Sequence, residues 1–235
     1  MARGRLHRQA ALWFAAICAG YLSLAYFAAP EIWSFRILRD GIKPAAFVTT
    51  TPQGIPGDPI NIGLVGSEKD VTSAFAAAGW DRADRLSLKS SLKISESVVL
   101  DRPYPDAPVS TLLFEGRPQD LAFEKPDGNS PDVRHHIRLW LTFAIASDGR
   151  PTWYGAATFD RSVGLSHDTG AVTHHIAPDV DAERDSLIRD LSQAGHVISA
   201  EAIPGIGLTR NGRNGGGDPY FTDGKILVAL LAKAP

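Results

Sequence analysis

A run of twenty residues without a charge, residues 10–29, constrains this chain more than any other feature of its sequence. At 1.5 Å per residue such a run forms about 30 Å of helix, roughly the thickness of the hydrocarbon core of a bilayer. The preceding residues 1–9 carry Arg3, Arg5 and Arg8 and no acidic side chain. Because basic residues stay on the cytoplasmic side of a membrane, the pattern predicts a single-pass anchor at 10–29 with a basic cytoplasmic tip at 1–9.

Two other interpretations of the apolar run stay open. A cleaved signal peptide also has an apolar region after basic residues, and Ser23-Leu24-Ala25 resembles a small-x-small cleavage site. A buried helix of a soluble core is the third interpretation, although such a helix has one apolar face and this run is apolar all round. The sequence therefore favours an uncleaved membrane anchor.

The composition excludes two classes of protein. The chain has 235 residues, of which 44% are hydrophobic and 21% charged, and its net charge is −2. These values are not those of a disordered chain or of a polybasic nucleic-acid binder, so we expect no nucleic-acid partner. The one cysteine, Cys18, excludes an intrachain disulfide and a zinc site built from cysteines.

The rest of the chain divides into a linker and a domain. Residues 30–57 contain four prolines, which interrupt helices and strands, and predict a linker. Residues 58–235 predict one domain of the α+β class, with a mostly antiparallel sheet and two main helices, preceded by the transmembrane helix. The helices are expected at 68–78, capped by Ser67, and at 180–194. Strands are expected at 60–65, 92–100, 110–115, 133–146, 152–159, 171–177, 196–203 and 225–231.

The clearest strand is 133–146, in which two kinds of residue alternate. Successive side chains of a strand point to opposite faces of the sheet. One face is expected to carry the apolar set with one histidine: Val133, His135, Ile137, Leu139, Leu141, Phe143 and Ile145. The other face is expected to carry Arg134, His136, Arg138, Trp140 and Thr142.

Two histidine pairs, His135-His136 and His174-His175, are candidates for catalysis or metal binding. If their strands are neighbours, one histidine from each pair converges, and we take these to be His136 and His175. Imidazole and carboxylate groups suit Zn²⁺ and similar ions, so a divalent metal is a possible cofactor, although no motif establishes one. Hydrogen-bonded structural histidines remain the alternative, because no HExxH spacing is present. Further candidates for the ligand set are His167, Asp160 and Asp168.

The same residues also fit hydrolysis of a phosphoester. His136 or His175 could act as general acid and base, because imidazole exchanges protons near neutral pH. Asp160 or Asp120 could orient the histidine or complete a coordination shell.

A cationic set suggests binding of an anionic ligand. Arginine forks bind phosphate and carboxylate groups through two hydrogen bonds. In the alternative interpretation, the guanidinium groups pair with acidic residues such as Asp120, Asp160 or Asp185. The candidate ligand-binding residues are Arg117, Arg134, His136, Arg138 and His175.

The glycine-rich stretch 212–217 lies between Arg210 and Asp218. Glycines can expose backbone N–H groups to an anion, but this stretch matches neither a P-loop nor a dinucleotide fingerprint. A flexible loop is therefore the expected structure.

Seven segments, in order, carry a family resemblance: PINIGLVGS (59–67), AAGW (77–80), RPYPDAPVSTLLFEGRPQDLAF (102–123), RHHIRLW (134–140), GAATFDRSVGLS (155–166), THHIAPDVDAERD (173–185) and GGGDPYFTDG (215–224). Together they resemble the C-terminal domain family of LssY proteins, over most of residues 58–230. The resemblance implies a bacterial envelope setting. Related domains occur beside phosphatidic-acid-phosphatase-like or DedA-like regions, and this sequence contains neither, so those activities are not transferred. The matched motifs include Arg117, Asp120, Arg134, His135, His136, Asp160, His174, His175, Asp181, Glu183 and Arg184.

These observations lead to one main expectation and two alternatives. We expect a domain anchored in the bacterial inner membrane by residues 10–29, facing the periplasm, that binds an anionic ligand such as a lipid phosphate head group or a polysaccharide precursor. The first alternative is a metal- or histidine-assisted phosphoester hydrolase. The second is a non-catalytic component of an envelope assembly, which would show a sizeable exposed apolar patch. The sequence does not decide whether the chain is an enzyme.

Overall fold

The computed structural model describes residues 2–33, 47–83, 110–128, 132–205 and 210–235. Helix α1 (Ala2–Ser23) continues into a π-helical segment, Leu24–Ala28. Within the described residues, His7–Trp33 is the one helix long and apolar enough to cross a membrane, with a mean hydropathy of 1.7. It contains the predicted anchor, and only 6% of its most apolar window is buried against the rest of the chain.

Besides α1, the described part of the chain contains the helices α2 (Glu68–Ala77) and α3 (Val180–Gln193) and fourteen strands. In chain order the strands are β1 (Val48–Thr50), β2 (Pro56–Pro59), β3 (Ile62–Val65), β4 (Asp81–Arg82), β5 (Leu113–Phe114), β6 (Arg117–Pro118), β7 (Leu121–Pro126), β8 (Arg134–Ile145), β9 (Pro151–Leu165), β10 (Val172–Ile176), β11 (Val197–Pro204), β12 (Asn211–Arg213), β13 (Pro219–Phe221) and β14 (Lys225–Leu231).

An eight-stranded sheet organises the domain. Seven strands follow the order β11-β14-β3-β9-β8-β7-β4, and β10 also pairs with β9. Only β14 and β3 run parallel among the paired strands of the described chain. Strand β9 pairs with β8 along one edge, while its other edge pairs first with β3 and then, further along, with β10. The predicted α+β class with a mostly antiparallel sheet is confirmed.

Helices α2 and α3 cover one face of this sheet. Their buried side chains Phe75, Leu187 and Leu191 pack in one cluster with Ile137 and Leu139 of β8. Each helix begins at a residue whose side chain accepts a backbone N–H from the first turn. Ser67 caps α2 in a reciprocal capping box with Asp70, and Asp179 caps α3, which satisfies N–H groups that a helix start leaves without partners.

A smaller sheet, with strand order β2-β1-β5-β6, covers part of the opposite face. A second apolar cluster joins the two sheets, with Trp140 and Ala156 from the large sheet and Leu112 and Phe114 from the segment containing β5. The polar residues of β8 lie on this same face, so they end up buried between protein layers rather than facing solvent.

The structure differs from the sequence expectation at two places, and one further expectation falls outside the described residues. Strand β1 and the first two residues of β2 lie within the predicted linker 30–57. Pro56 and Pro59 fit because they end β2, which is an edge strand. The predicted strand 92–100 lies outside the described residues. On β8 the apolar face ends early, because the pairing register with β9 shifts between Leu141 and Ile145, and both side chains are exposed.

Asn61 ties three backbone groups of the fold together. Its amide donates to the carbonyls of Ala157 and Val180, at 3.0 and 2.9 Å, and its oxygen accepts the N–H of Ala157 at 2.9 Å. We expect Asn61→Ala to lower the free energy of unfolding by about 3 kcal/mol, because it leaves these buried groups without partners. Denaturant unfolding of the full chain in detergent measures the change.

The matched control is Asn211→Ala on β12, where the asparagine side chain is exposed. This variant should stay within about 0.5 kcal/mol of the parent. Equal effects of the two substitutions would contradict the role given to Asn61.

Candidate functional site

Polar side chains collect on the face of the large sheet opposite the helices, in two groups. The first, here called the buried ion network, centres on Arg134 and Asp160, which face each other across β8 and β9. Arg134 donates from Nε to Oδ2 of Asp160 at 3.1 Å and from Nη1 to Oε2 of Glu124 at 2.6 Å. All three residues are buried, so the two carboxylates compensate the guanidinium without help from water.

Arg138 continues the network along β8. It donates to Asp58 Oδ2 at 2.9 Å and to the carbonyl and hydroxyl of Ser110 at 3.0 Å. Its Nη1 also lies 2.9 Å from Nε2 of His136. A guanidinium can only donate, so Nε2 is the acceptor in this contact, while Nδ1 of the same ring lies 3.2 Å from Asp160 Oδ2.

The network contains three carboxylates and two guanidinium groups, from Glu124, Asp160 and Asp58 and from Arg134 and Arg138. An anion added here would increase the negative excess. The arginines of the predicted cationic face are therefore paired within the fold. The remaining arginine candidate, Arg117, is exposed on β6 and donates to the carbonyl of Leu141 at 2.6 Å.

The second group, here called the His167 cluster, consists of His167, His175 and Asp218. One ligating atom from each lies within 4.8 Å of the other two. Oδ1 of Asp218 is 2.7 Å from Nδ1 of His175 and 3.5 Å from Nε2 of His167. Asp218 is buried, His175 is partly buried and the side chain of His167 is 58% exposed, so the cluster opens to solvent on one side.

Three separate segments build the His167 cluster. His175 lies on β10, and its ring covers Gly164 of β9, where a Cβ would come within 2.4 Å of Nε2. His167 lies in the turn between these two strands, and its N–H donates to the carbonyl of Gly216 at 2.9 Å. Asp218 follows the glycine-rich stretch, which connects β12 to β13 as an ordered turn.

Asn214 holds that turn. Its side-chain oxygen accepts the N–H groups of Gly216 and Asp218, at 3.0 and 2.9 Å, while its backbone N–H donates to the carbonyl of Asp218. Gly217 has a φ of +83°, and a Cβ there would contact the side chains of His167 and Asp168, so a larger residue would disturb the cluster. The glycines thus bring Asp218 close to the histidines.

The two groups share a face of the sheet but do not merge. Strand β9 lies between β8 and β10, with His136 opposite Thr158 and His175 opposite Ser162. Four residues along β9 correspond to about 13 Å, and two strand spacings add about 10 Å across the sheet. Of the proposed metal ligands, the structure therefore brings together His167 and His175, while His136 and Asp160 belong to the buried ion network.

The other member of each histidine pair lies elsewhere. His135 faces α3, with Nδ1 2.8 Å from Oε2 of Glu183. Burial opposes a positive charge on His135, but the Glu183 carboxylate outweighs it and raises the pKa of the imidazole. His174, on β10, lies opposite Val163 of β9, and burial lowers the pKa of its imidazole.

Two imidazoles and one carboxylate form a ligand set typical of zinc and of non-haem iron sites that keep coordination positions open for water or substrate. Reasoning from sequence identified His167 and His175 but not Asp218 as a partner. The one sequence feature that points to Asp218 is its position directly after the glycine cluster. Such a cluster indicates a tight turn, but it does not show which residues the turn packs against.

The buried ion network makes stability depend on pH. Burial raises the pKa of Asp160, but the neighbouring His136, His174 and Arg134 outweigh burial and hold it well below its ordinary value. Asp160 therefore stabilises the fold above the pKa of an unfolded carboxyl, about 3.9, and this contribution is lost as the pH falls below that value. Asp160→Asn should cost about 3 kcal/mol at pH 7, and its difference from the parent should shrink at pH 3.

Denaturant titrations of parent and variant at both pH values measure this difference. Asp81→Asn on the exposed strand β4 is the control, and should leave stability at pH 7 unchanged. An Asp160→Asn deficit as large at pH 3 as at pH 7 would show that the carboxylate charge is not what stabilises the network.

Comparison with known proteins gives one match. No curated protein and no solved structure matches the chain. The family described as LssY C-terminus matches residues 41–226, which include both groups of polar residues. The match covers more than half of the chain and agrees with the resemblance seen in the sequence motifs. The chain therefore belongs to the LssY C-terminus family.

Proposed function

We propose that this chain is a membrane-anchored, metal-dependent phosphoester hydrolase whose divalent ion is held by His167, His175 and Asp218. The observation that carries the proposal is the approach of three ligating atoms to within 4.8 Å of one another, at a position open to solvent. Three protein ligands leave coordination positions for a phosphate oxygen and a water molecule. A divalent ion polarises such a phosphate and lowers the pKa of its bound water.

The surroundings of the cluster support metal binding. The second oxygen of Asp218 accepts the N–H of Ile176 at 3.2 Å, which orients the carboxylate from behind. An ion shared by Asp218 and His175 would replace the proton that now joins them. The site is also compatible with the anionic ligand expected from the sequence. A bound ion would supply the positive charge for that ligand, because the charges of Arg134 and Arg138 are already compensated by carboxylates.

We infer the location from the first helix. Arg3, Arg5 and Arg8 precede the apolar run 10–29 of the helix His7–Trp33, which favours a cytoplasmic N-terminus and a domain on the opposite side of the membrane. In a bacterial inner membrane, this side is the periplasm. The His167 cluster would then act on phosphoesters of the envelope.

Metal analysis tests the site. The full chain, purified in detergent and dialysed against Zn²⁺ or Mn²⁺, should bind about one ion per chain, and Asp218→Asn or His175→Ala should reduce occupancy by about tenfold or more. The control is His174→Ala, the neighbouring histidine on the other face of β10, which should retain the ion. Equal occupancy in all four proteins would contradict the assignment.

Turnover tests the activity. The metal-loaded chain should release phosphate from p-nitrophenyl phosphate, and this activity should disappear with a chelator and in Asp218→Asn. His174→Ala again serves as the control with intact ligands. Binding of the metal and of inorganic phosphate without turnover would contradict hydrolysis and favour a domain that only binds anions.

A further inference from the structure

The turn between β9 and β10, residues 166–171, contacts the N-terminal helix. The hydroxyl of Tyr21 donates to the carbonyl of Gly170 at 2.8 Å, and the N–H of Val172 donates to the hydroxyl of Tyr26 at 3.1 Å. On a regular α-helix, side chains five residues apart point about 140° away from each other. The wider π-helical segment Leu24–Ala28 reduces that angle, so both tyrosines reach the same turn.

Apolar side chains surround this contact and face outward. Leu165 is 55% exposed and Val172, its partner across the two strands, is 56% exposed. Val163, two residues before Leu165 and on the same face, is 37% exposed. A hairpin end in water usually carries polar residues, whereas these three side chains form an apolar edge beside a helix that is itself apolar.

The backbone N–H groups of the turn are paired within the protein. Every N–H from Ser166 to Val172 has an acceptor within the described structure. Ser166 accepts three of these seven N–H groups: its hydroxyl accepts from Asp168 and Thr169, and its carbonyl from Gly170. Pairing of backbone groups within the protein lowers the cost of placing a segment in the hydrocarbon region of a bilayer, and the N–H groups of this turn are paired in this way.

The positions of Tyr21 and Tyr26 along the apolar helix indicate how deep the turn lies in the membrane. Counted from residue 29, where the apolar run ends, Tyr26 lies about 4 Å and Tyr21 about 12 Å inside the span. Segments that lie at the boundary between head groups and acyl chains reach about 5–10 Å deep. We propose that the end of the β9–β10 hairpin enters the outer leaflet beside the helix, as a second membrane contact made by Val163, Leu165 and Val172.

The membrane contact of the hairpin indicates a class of substrate, an inference that rests on the proposed function. His167 belongs to the same turn, so the contact would bring the His167 cluster next to the membrane surface. The phosphate within reach is then that of a lipid phosphomonoester, rather than a phosphoester dissolved in water.

Depth measurements test the hairpin contact in the absence of metal. Cys18→Ser removes the native cysteine, and a single spin label is placed by Leu165→Cys or Val172→Cys in the full chain in phospholipid nanodiscs. Oxygen concentrates in the acyl region and a nickel chelate stays in water. We expect the ratio of oxygen to nickel accessibility to be about tenfold higher at these positions than in the control.

The control is Ile145→Cys, at a side chain 63% exposed, where β8 meets the other end of β9. Its exposure is similar to that of Leu165. Its pairing partner on β9, Pro151, is fourteen residues before Leu165, which corresponds to about 45 Å along the strand. A higher ratio at 165 and 172 than at 145 supports the contact. Equal ratios at the three positions overturn it.

Two substrates test the choice of lipid. Val172→Glu should reduce phosphate release from phosphatidic acid in vesicles by about tenfold, because a carboxylate is expelled from the leaflet, and should leave p-nitrophenyl phosphate hydrolysis unchanged. Ile145→Glu should alter neither reaction. An equal effect of Val172→Glu on both substrates overturns the lipid assignment.

Absence of any turnover in the parent contradicts the proposed function, and the depth measurement then decides the hairpin contact independently.

Discussion

Hydrogen bonding along both edges of β9 determines how far apart the two histidine pairs lie. Strand β8 occupies one edge, while β3 and then β10 share the other. This arrangement places the buried ion network at the middle of the strand and the His167 cluster at its end. Because β9 separates β8 from β10, one imidazole from each histidine pair can share a face of the sheet without sharing a site. A metal site therefore depends on a residue from another segment, which the β12–β13 turn supplies as Asp218.

The buried ion network also constrains the register of this sheet. A slip of one residue along β8 would turn Arg134, His136 and Arg138 toward the apolar side chains of α2 and α3. Charged groups without partners in such a layer are far more costly than a small loss of apolar contact. We therefore interpret the network as a device that specifies one pairing of β8 with β9, which in turn fixes the position of β10 and His175. Its net contribution to stability is expected to be small, since ion pairs lose hydration when buried.

The sequence predicted features that depend on local pattern and missed those that depend on distant contacts. Alternation along residues 134–140 assigned His135 and His136 to their correct faces, and the apolar run at 225–231 marked β14 with its exact ends. The sequence leaves the pairing of the arginines open, because Arg138 reaches Asp58, eighty residues earlier, through the packing of the small sheet. Asp218 is forty-three residues from His175, and no periodicity links a strand residue to a turn that folds over it.

Two membrane contacts would fix the orientation of the domain, whereas one contact would fix only its distance from the bilayer. A single helix fixes the distance of a domain from the bilayer but leaves the domain free to rotate, so that an open cluster faces lipid for only part of the time. A second contact, next to Tyr21 and Tyr26, removes that rotation and presents the same edge of the sheet to the membrane throughout. Orientation of reacting groups lowers the entropic cost of a reaction at a surface. The π-helical segment is then the geometric requirement of this arrangement, since it allows one helix face to hold the hairpin at two heights.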